Sequence, residues 1–451
     1  MHRGPLIIYS LSISTMKLTH TFYLLFLSLI VTAQSADLSQ IIDSKAETIE
    51  SKVIEWRRHL HQYPELSNRE YKTADFVAKH LRSLGLQVET GIAYTGVIGL
   101  LDTGKPGPTV ALRADMDALP VRERVNIPFA SKVESEYLGN KVGVMHACGH
   151  DSHVAILMGA AQVLTEMKDN LTGKIVFVFQ PAEEGAPPGE EGGAKLMVKE
   201  GIIGKYGIDV FFGLHISSGL DVGKILYKPL GMMAASDRFV ITVKGKQTHG
   251  SRPWAGVDPI TVSAQIIMGL QTIISRQTEL TKEAAVISVG KFTAGVRSNI
   301  IPEEAEMIGT IRTLDTDMQK IVHEKIRTTA INIAESAGAT AEVDIQIGYP
   351  VTYNNPELTA RMLPTMEKTA GEENIIVTRP ITGAEDFSFF AMEVPGFFFF
   401  LGGKPLDVSP LDAAPHHTPD FYLDESGFVL GVRTLSQMVV DYGMGEIQKS
   451  E

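Results

Sequence analysis

The sequence predicts an α/β protein with a mostly parallel central sheet, interrupted by a smaller inserted α+β unit. Three observations carry this. Short β-rich runs alternate with helical periodicity up to about Tyr227, the pattern of strands and crossover helices in a parallel sheet. A block over 236–348 runs β-α-β-β-α-β instead, the ferredoxin-like order. The chain, at 451 residues, is also too long for one ordinary core.

The elements follow in order. Residues 22–33, "FYLLFLSLIVTA", are an apolar run with Lys17 ahead of it and polar residues behind. The run is too short to cross roughly 30 Å of hydrocarbon as a helix. It fits the core of a secretory signal, with Val31 and Ala33 suited to cleavage, so 1–33 reads as a signal peptide. Met16 offers a second start. The expectation is an exported protein with no stable membrane association after cleavage.

A first catalytic segment is assigned to 38–235. "AETIESKVIEWRRHLHQYPE" and "EYKTADFVAKHLRSLGL" carry apolar residues at helical spacing, and the second stops at Gly85. "TGVIGLLDT", "TVALRAD", "KIVFVFQ" and "IDVFFGLH" read as strands, with the helix "HVAILMGAAQVLTEM" among them. The inserted unit follows at 236–348, strand "DRFVITVKG" leading to helix "DPITVSAQIIMGLQTIISRQ" and on to strand "TAEVDIQIGY". A second catalytic segment resumes at 349–445. The stretch 183–195, "EEGAPPGEEGGAK", has too much Gly and Pro for an element interior and reads as a loop.

The formal charge of −12, from 41 basic and 53 acidic residues, argues against nucleic acid or an anionic membrane as the main partner. A single cysteine excludes an internal disulfide, and an idle thiol in an oxidising compartment is a liability.

That cysteine lies in "MHACGHDSH", residues 145–153. Thiolate, imidazole and carboxylate are the ligands that borderline divalent ions accept. The chain supplies Cys148 and His150 in one turn, the pair Glu183–Glu184, His215, and His416–His417. Singly each has a plain reading: a hydrogen-bonded histidine, a small buried cysteine, an exposed acidic loop. Together, after strands of one sheet, they mark the carboxyl-end position where ligands bind. A dimetal hydrolase needs one carboxylate on the metal and another for the proton of the attacking water, and adjacent residues point in different directions. Asp115 and Asp117 either orient metal-binding imidazoles or make strand-end hydrogen bonds. Asp151 and His153 either support the ligands or cap a helix, and Glu385 and Asp386 line or support the pocket.

"RADMDALP", "MHACGHDSH", "QPAEEG", "THGSRPWAGVDPI", "SNIIP", "TGAEDFSFF" and "HHTPDF" occur in the order of one family. The chain resembles the metal-dependent amidohydrolases that include hippurate hydrolases, N-acyl-L-amino-acid amidohydrolases and auxin–amino acid conjugate hydrolases, within the aminoacylase and carboxypeptidase superfamily. The resemblance runs from about Ser44 to Tyr442. It implies two divalent ions per subunit, manganese or zinc before cobalt or nickel, and an inserted lid through which a homodimer forms. It matches Cys148, His150, Glu184, His215 and His417 to the ligands and Glu183 to the general acid/base. It matches His249, in the lid, to a histidine that polarises the scissile carbonyl. "APPGEEG" lengthens the loop after Glu184 beyond the family's common form.

The expected substrate is a small N-acyl amino acid. Its carboxylate would suit Asn299 and Arg312 in the lid, positions the resemblance also points to, against plainer readings as turn former and strand-surface residue. A dipeptidase or carboxypeptidase using the same site is the alternative enzyme. An exported solute-binding protein is the alternative outside enzymes, but it gives no reason for the Cys/His/Glu set.

Overall fold

The computed structural model describes residues 38–450; the stretch 1–33, read above as a signal peptide, lies outside them. Helix α1 (38–62) and helix α2 (Tyr71–Ser83) open the chain. Strands β1 (Gln87–Ile92), β2 (Gly96–Asp102) and β3 (Thr109–Asp115) follow, then helix α3 (His150–Glu166), β4 (Lys174–Gln180), β5 (Val210–Asp221) and β6 (Ile225–Tyr227). The inserted block comprises β7 (Ala235–Lys244), α4 (Pro259–Gln277), β8 (Ala285–Ala294), β9 (Glu304–Thr313), α5 (Thr316–Ser336) and β10 (Thr340–Tyr349). Helix α6 (Pro356–Ala370), β11 (Ile375–Val377), β12 (Gly396–Lys404) and α7 (Phe428–Ser450) complete the chain.

The eight-stranded sheet has the order β1-β2-β4-β3-β5-β12-β6-β11. Its centre, β4-β3-β5-β12, is parallel throughout. Antiparallel pairs flank it: β1 with β2, β2 with β4, and β6 with β12. All seven residues of β3 are buried, as expected of a strand covered on both faces. Alternate residues of β4 feed two cores. Ile175, Phe177 and Phe179 pack with residues of α1, α3 and α7, while Val176 and Val178 face Phe387 and Phe390.

The inserted block makes its own antiparallel sheet, β8-β9-β7-β10, with α4 and α5 packed on one face. Phe239, Ile241 and Val243 of β7 point inward, and intervening residues are more exposed, the alternation of a half-buried strand. Both helices start on aspartate caps. Asp258 accepts from the amides of Ile260 and Thr261 ahead of α4, and Asp315 from that of Met318 in α5. Among the described residues no helix is long and apolar enough to cross a membrane.

Candidate metal centre

Gly149 sets the first turn of the site. It sits at φ 92° immediately before α3, and a Cβ there would lie 2.5 Å from the Ile216 side chain. Only glycine fits that conformation and that gap, so Cys148 and His150 can flank it, Cys148 lining the cavity and His150 buried beside Glu183 and Glu184. His417, at φ 64°, donates its amide to the carbonyl of Ala147 at 2.8 Å, tying the C-terminal loop to this turn.

The Cys148 Sγ lies 3.4 Å from Nε2 of His215 and 3.2 Å from Nε2 of His417. The His215 Nδ1–H donates to the Ile216 carbonyl at 2.6 Å, which turns the Nε2 lone pair toward the sulfur. His417 Nε2 also stands 3.0 Å from a Glu184 oxygen. His416 is nearby, with Nδ1 3.7 Å from the sulfur, but its Nε2 accepts the Ser218 amide. The ring of His417, and not that of His416, therefore touches both Cys148 and Glu184.

His150 Nε2 is buried and makes no hydrogen bond. Three carboxylate oxygens surround it without bonding: Asp115 at 3.7 Å and Glu183 and Glu184 each at 3.9 Å. A shared cation is what such a gap accommodates. Against the burial that would lower it, Asp115 and then Asp117 push the His150 imidazole up to about 10. Burial, then Glu184 and Glu183, push the Cys148 thiol well above its usual value. A divalent cation reverses that sign, because a ligating thiol is deprotonated. The residues present fit a metal centre.

Asp117 fixes the two glutamates. Its oxygens accept the amides of Glu183 and Glu184, each at 3.0 Å, and one of them lies 3.3 Å from His150 Nδ1. The preceding Ala182 is left-handed at φ 53°, and Glu70 holds its amide at 2.9 Å. The Tyr349 hydroxyl donates to the Glu183 carbonyl at 2.7 Å. Burial, then Glu385 and Glu184, raise the Glu183 carboxyl well above its usual value.

Behind the site lies a fully buried guanidinium. Arg113 donates to Gln180 and Asp115 at 2.8 Å each, to Glu385 at 2.8 Å and to Asp386 at 2.9 Å. Burial, opposed by Arg113, moves Asp386 up to about 8. Asp115 also accepts from His153 Nδ1 at 2.6 Å, and His153 Nε2 accepts the Ile216 amide. Both nitrogens of His153 are thus committed to the frame. Asp151 is equally structural, held by Arg57 at 3.0 Å and His61 at 2.7 Å while it accepts the Ser152 amide.

Cys148, Glu183, Glu184, His215 and His417 line a cavity of about 420 Å³, together with Met233, Tyr349 and Ile381. His150, Asp115 and Asp117 do not line it; they are buried, with Asp117 bonded to the Glu183 and Glu184 amides and His150 beside both carboxylates. His249, Asn299 and Arg312 do not line the cavity either. His249 lies on an exposed two-residue strand of the inserted block, where Gly250 donates to the Asn299 carbonyl. Arg312 is on β9, paired in register with Ser236 and Val286. Sequence reasoning passed over Arg113, Glu70 and Tyr349. The signal for Arg113 was available, a charged residue inside the otherwise apolar run "TVALRA".

The chain matches the model of Peptidase family M20/M25/M40 over residues 111–441. It is similar to thermostable carboxypeptidase 1 of Saccharolobus solfataricus, 41% identical over 408 residues, which are 90% of this chain and 99% of that protein. It is also similar to an N-acyl-L-amino acid amidohydrolase of Geobacillus stearothermophilus, 41% identical over 323 residues, 71% of this chain and 82% of the relative. Among solved structures, the YXEP protein of Bacillus subtilis, a dinuclear metal-binding peptidase from the M20 family, superimposes with a TM-score of 0.73. It is 33% identical, covering 87% of this chain and 98% of that one. A parallel sheet carrying clustered thiol, imidazole and carboxylate groups at one end, matched over most of its length, places this chain in peptidase family M20/M25/M40.

Proposed function

We propose that the protein is a metal-dependent amidohydrolase that cleaves the amide of N-acyl amino acids or related small conjugates, hippurate among them. The observation that carries this is the Asp117 clamp, which holds adjacent glutamates so that Glu184 reaches His417 while Glu183 remains beside Glu385 and Asp386. Cys148, His150, Glu184, His215 and His417 would hold two divalent ions, manganese or zinc, which when bound acidify a water and polarise a carbonyl. Glu183 takes the proton of the attacking water and returns it to the leaving amine. His249 stabilises the developing oxyanion, brought in by movement of the inserted block or from a second copy's block. Exposed Trp254, Met268 and Val296 on that block support a homodimer formed through it. The apolar run at 22–33 supports export.

The test is turnover of N-acetyl and N-benzoyl amino acids by protein loaded with manganese or zinc, abolished by chelation and restored by metal. No turnover with any divalent ion overturns the reading. Preference for dipeptides moves it to the carboxypeptidase alternative, which the Saccharolobus relative favours.

Two further outcomes follow. Alkylation of Cys148 is expected to be slow in metal-loaded protein and fast after chelation, because ligation occupies the sulfur; equal rates return it to an inert core thiol. Converting the substrate carboxylate to an amide should cost wild type most of its activity, and Arg312→Ala should lose that discrimination. A mutant that still prefers the free acid as strongly removes Arg312 as the anchor.

A further inference from the structure

A second cleft of about 310 Å³ opens beside the metal centre, at the lower end of the range for small-ligand pockets. Glu184 lines both cavities, so a molecule reacting at the centre can extend past it into this cleft. Leu66, Leu119 and Pro120 line it, together with residues of two loops. One loop is the lengthened one, which contributes Pro187 and Pro188. The other contributes Tyr137 and Leu138, at the tip of a hairpin formed by Glu134–Tyr137 and Asn140–Gly143.

Both loops carry signs of a built site. Leu138 sits at φ 50° with 64% of its surface exposed. That turn conformation favours Asn or Gly, and an apolar side chain there gains nothing from the fold, since it is not buried. Over the cleft it becomes a contact for an apolar guest. The lengthened loop is pinned: buried Asn68 donates to Glu190 at 3.0 Å and to the Glu191 carbonyl at 2.9 Å, and Arg69 pairs with Glu190.

Charge decides which part of the substrate enters. Arg69 is the one cation among the lining residues, and Glu190 neutralises it; Glu136 and Glu184 remain. The cleft therefore rejects a carboxylate and accepts a neutral apolar group. The central cavity is lined instead by Met233 and Tyr349, at the two ends of the inserted block that bears Asn299 and Arg312. We propose that the cleft between the 134–143 hairpin and the 185–191 loop receives the acyl group of the substrate and sets its preferred size. This rests on the amidohydrolase reading above.

The experiment compares kcat/KM for N-benzoyl and N-acetyl derivatives of two amino acids of different size, alanine and phenylalanine, with metal-loaded wild type, Leu138→Asp and Leu119→Trp. Leu138→Asp puts a charge on an exposed turn without touching a core; Leu119→Trp enlarges a lining side chain, and a melting curve checks its fold. The benzoyl-to-acetyl ratio is expected to fall about tenfold or more in both. If Leu119→Trp does not fold, Leu138→Asp alone decides. An unchanged ratio overturns the assignment. So does a shift that follows the amino acid instead of the acyl group, because the cleft then holds the other arm. Wild type that hydrolyses neither compound with manganese or zinc overturns the amidohydrolase reading itself, and this assignment with it.

Discussion

Glu183→Gln is expected to lower turnover by about 10²- to 10⁴-fold while the protein binds as much metal as wild type. The amide keeps the size of the side chain but cannot accept a proton. Its backbone position is set elsewhere, by Asp117 on the Glu183 amide and Tyr349 on the carbonyl, so the substitution leaves the turn in place. Glu184→Gln should behave differently. Its carboxylate touches His417 and faces His150, so metal content falls together with activity. Metal analysis of the two purified variants beside their rates makes the check. Loss of metal in Glu183→Gln with retention in Glu184→Gln would exchange the two roles.

Arg113→Met is expected to cost about 3–5 kcal/mol of stability, because it leaves Asp115, Glu385 and Asp386 buried without their shared guanidinium. The pH dependence has a definite sign. Burial already raises the Glu385 and Asp386 carboxyls against the pull of Arg113, and without Arg113 their folded-state pKa moves further above the unfolded value of about 4. A group raised in this way contributes stability below its unfolded pKa and loses it as pH rises through the folded one. The variant should therefore be closest to wild type in acid and fall furthest behind near neutrality. Urea midpoints at about pH 5 and about pH 8 test this. A deficit that is equal at both, or that grows in acid, would show that the cage does not act through charge.

The parts of this molecule most legible in the sequence are those governed by local pattern. The helical spacing of "HVAILMGAAQVLTEM" and the apolar runs of β3, β4 and β5 correspond to observed elements, because each buries its faces within one short segment. β12 was harder, since "GFFFFLGG" is buried on both faces and shows no alternation to distinguish strand from helix. The hairpin at 134–143 was missed for the opposite reason: "ESEY" is wholly exposed and has no apolar face to read. His215 was placed at a strand end, yet β5 continues to Asp221 because β12 keeps pairing with it beyond His215. In the site, residue types announced the thiol, imidazoles and glutamates. Arg113, Glu70 and Tyr349 act through contacts across 272, 112 and 166 positions of chain, and spacing carries no trace of those.

The inserted block also dictates an order of events for the growing chain. Cys148, Glu184 and His215 precede it, while His417 follows, and β12 must slot between β5 and β6 after the whole block has been made. Until then the edge of β5 is unpaired, and closing it requires a loop of well over a hundred residues, a slow step that exposes a sticky edge. The block has its own core and can condense while the ribosome is still supplying the rest. That shortens the effective loop to the distance between its two ends, β7 and β10, which are hydrogen-bonded neighbours through Ser236 and Tyr349. On this view the block is a folding clamp. Loosening the β7–β10 pairing should slow the acquisition of metal during refolding, even where it leaves the finished site unchanged.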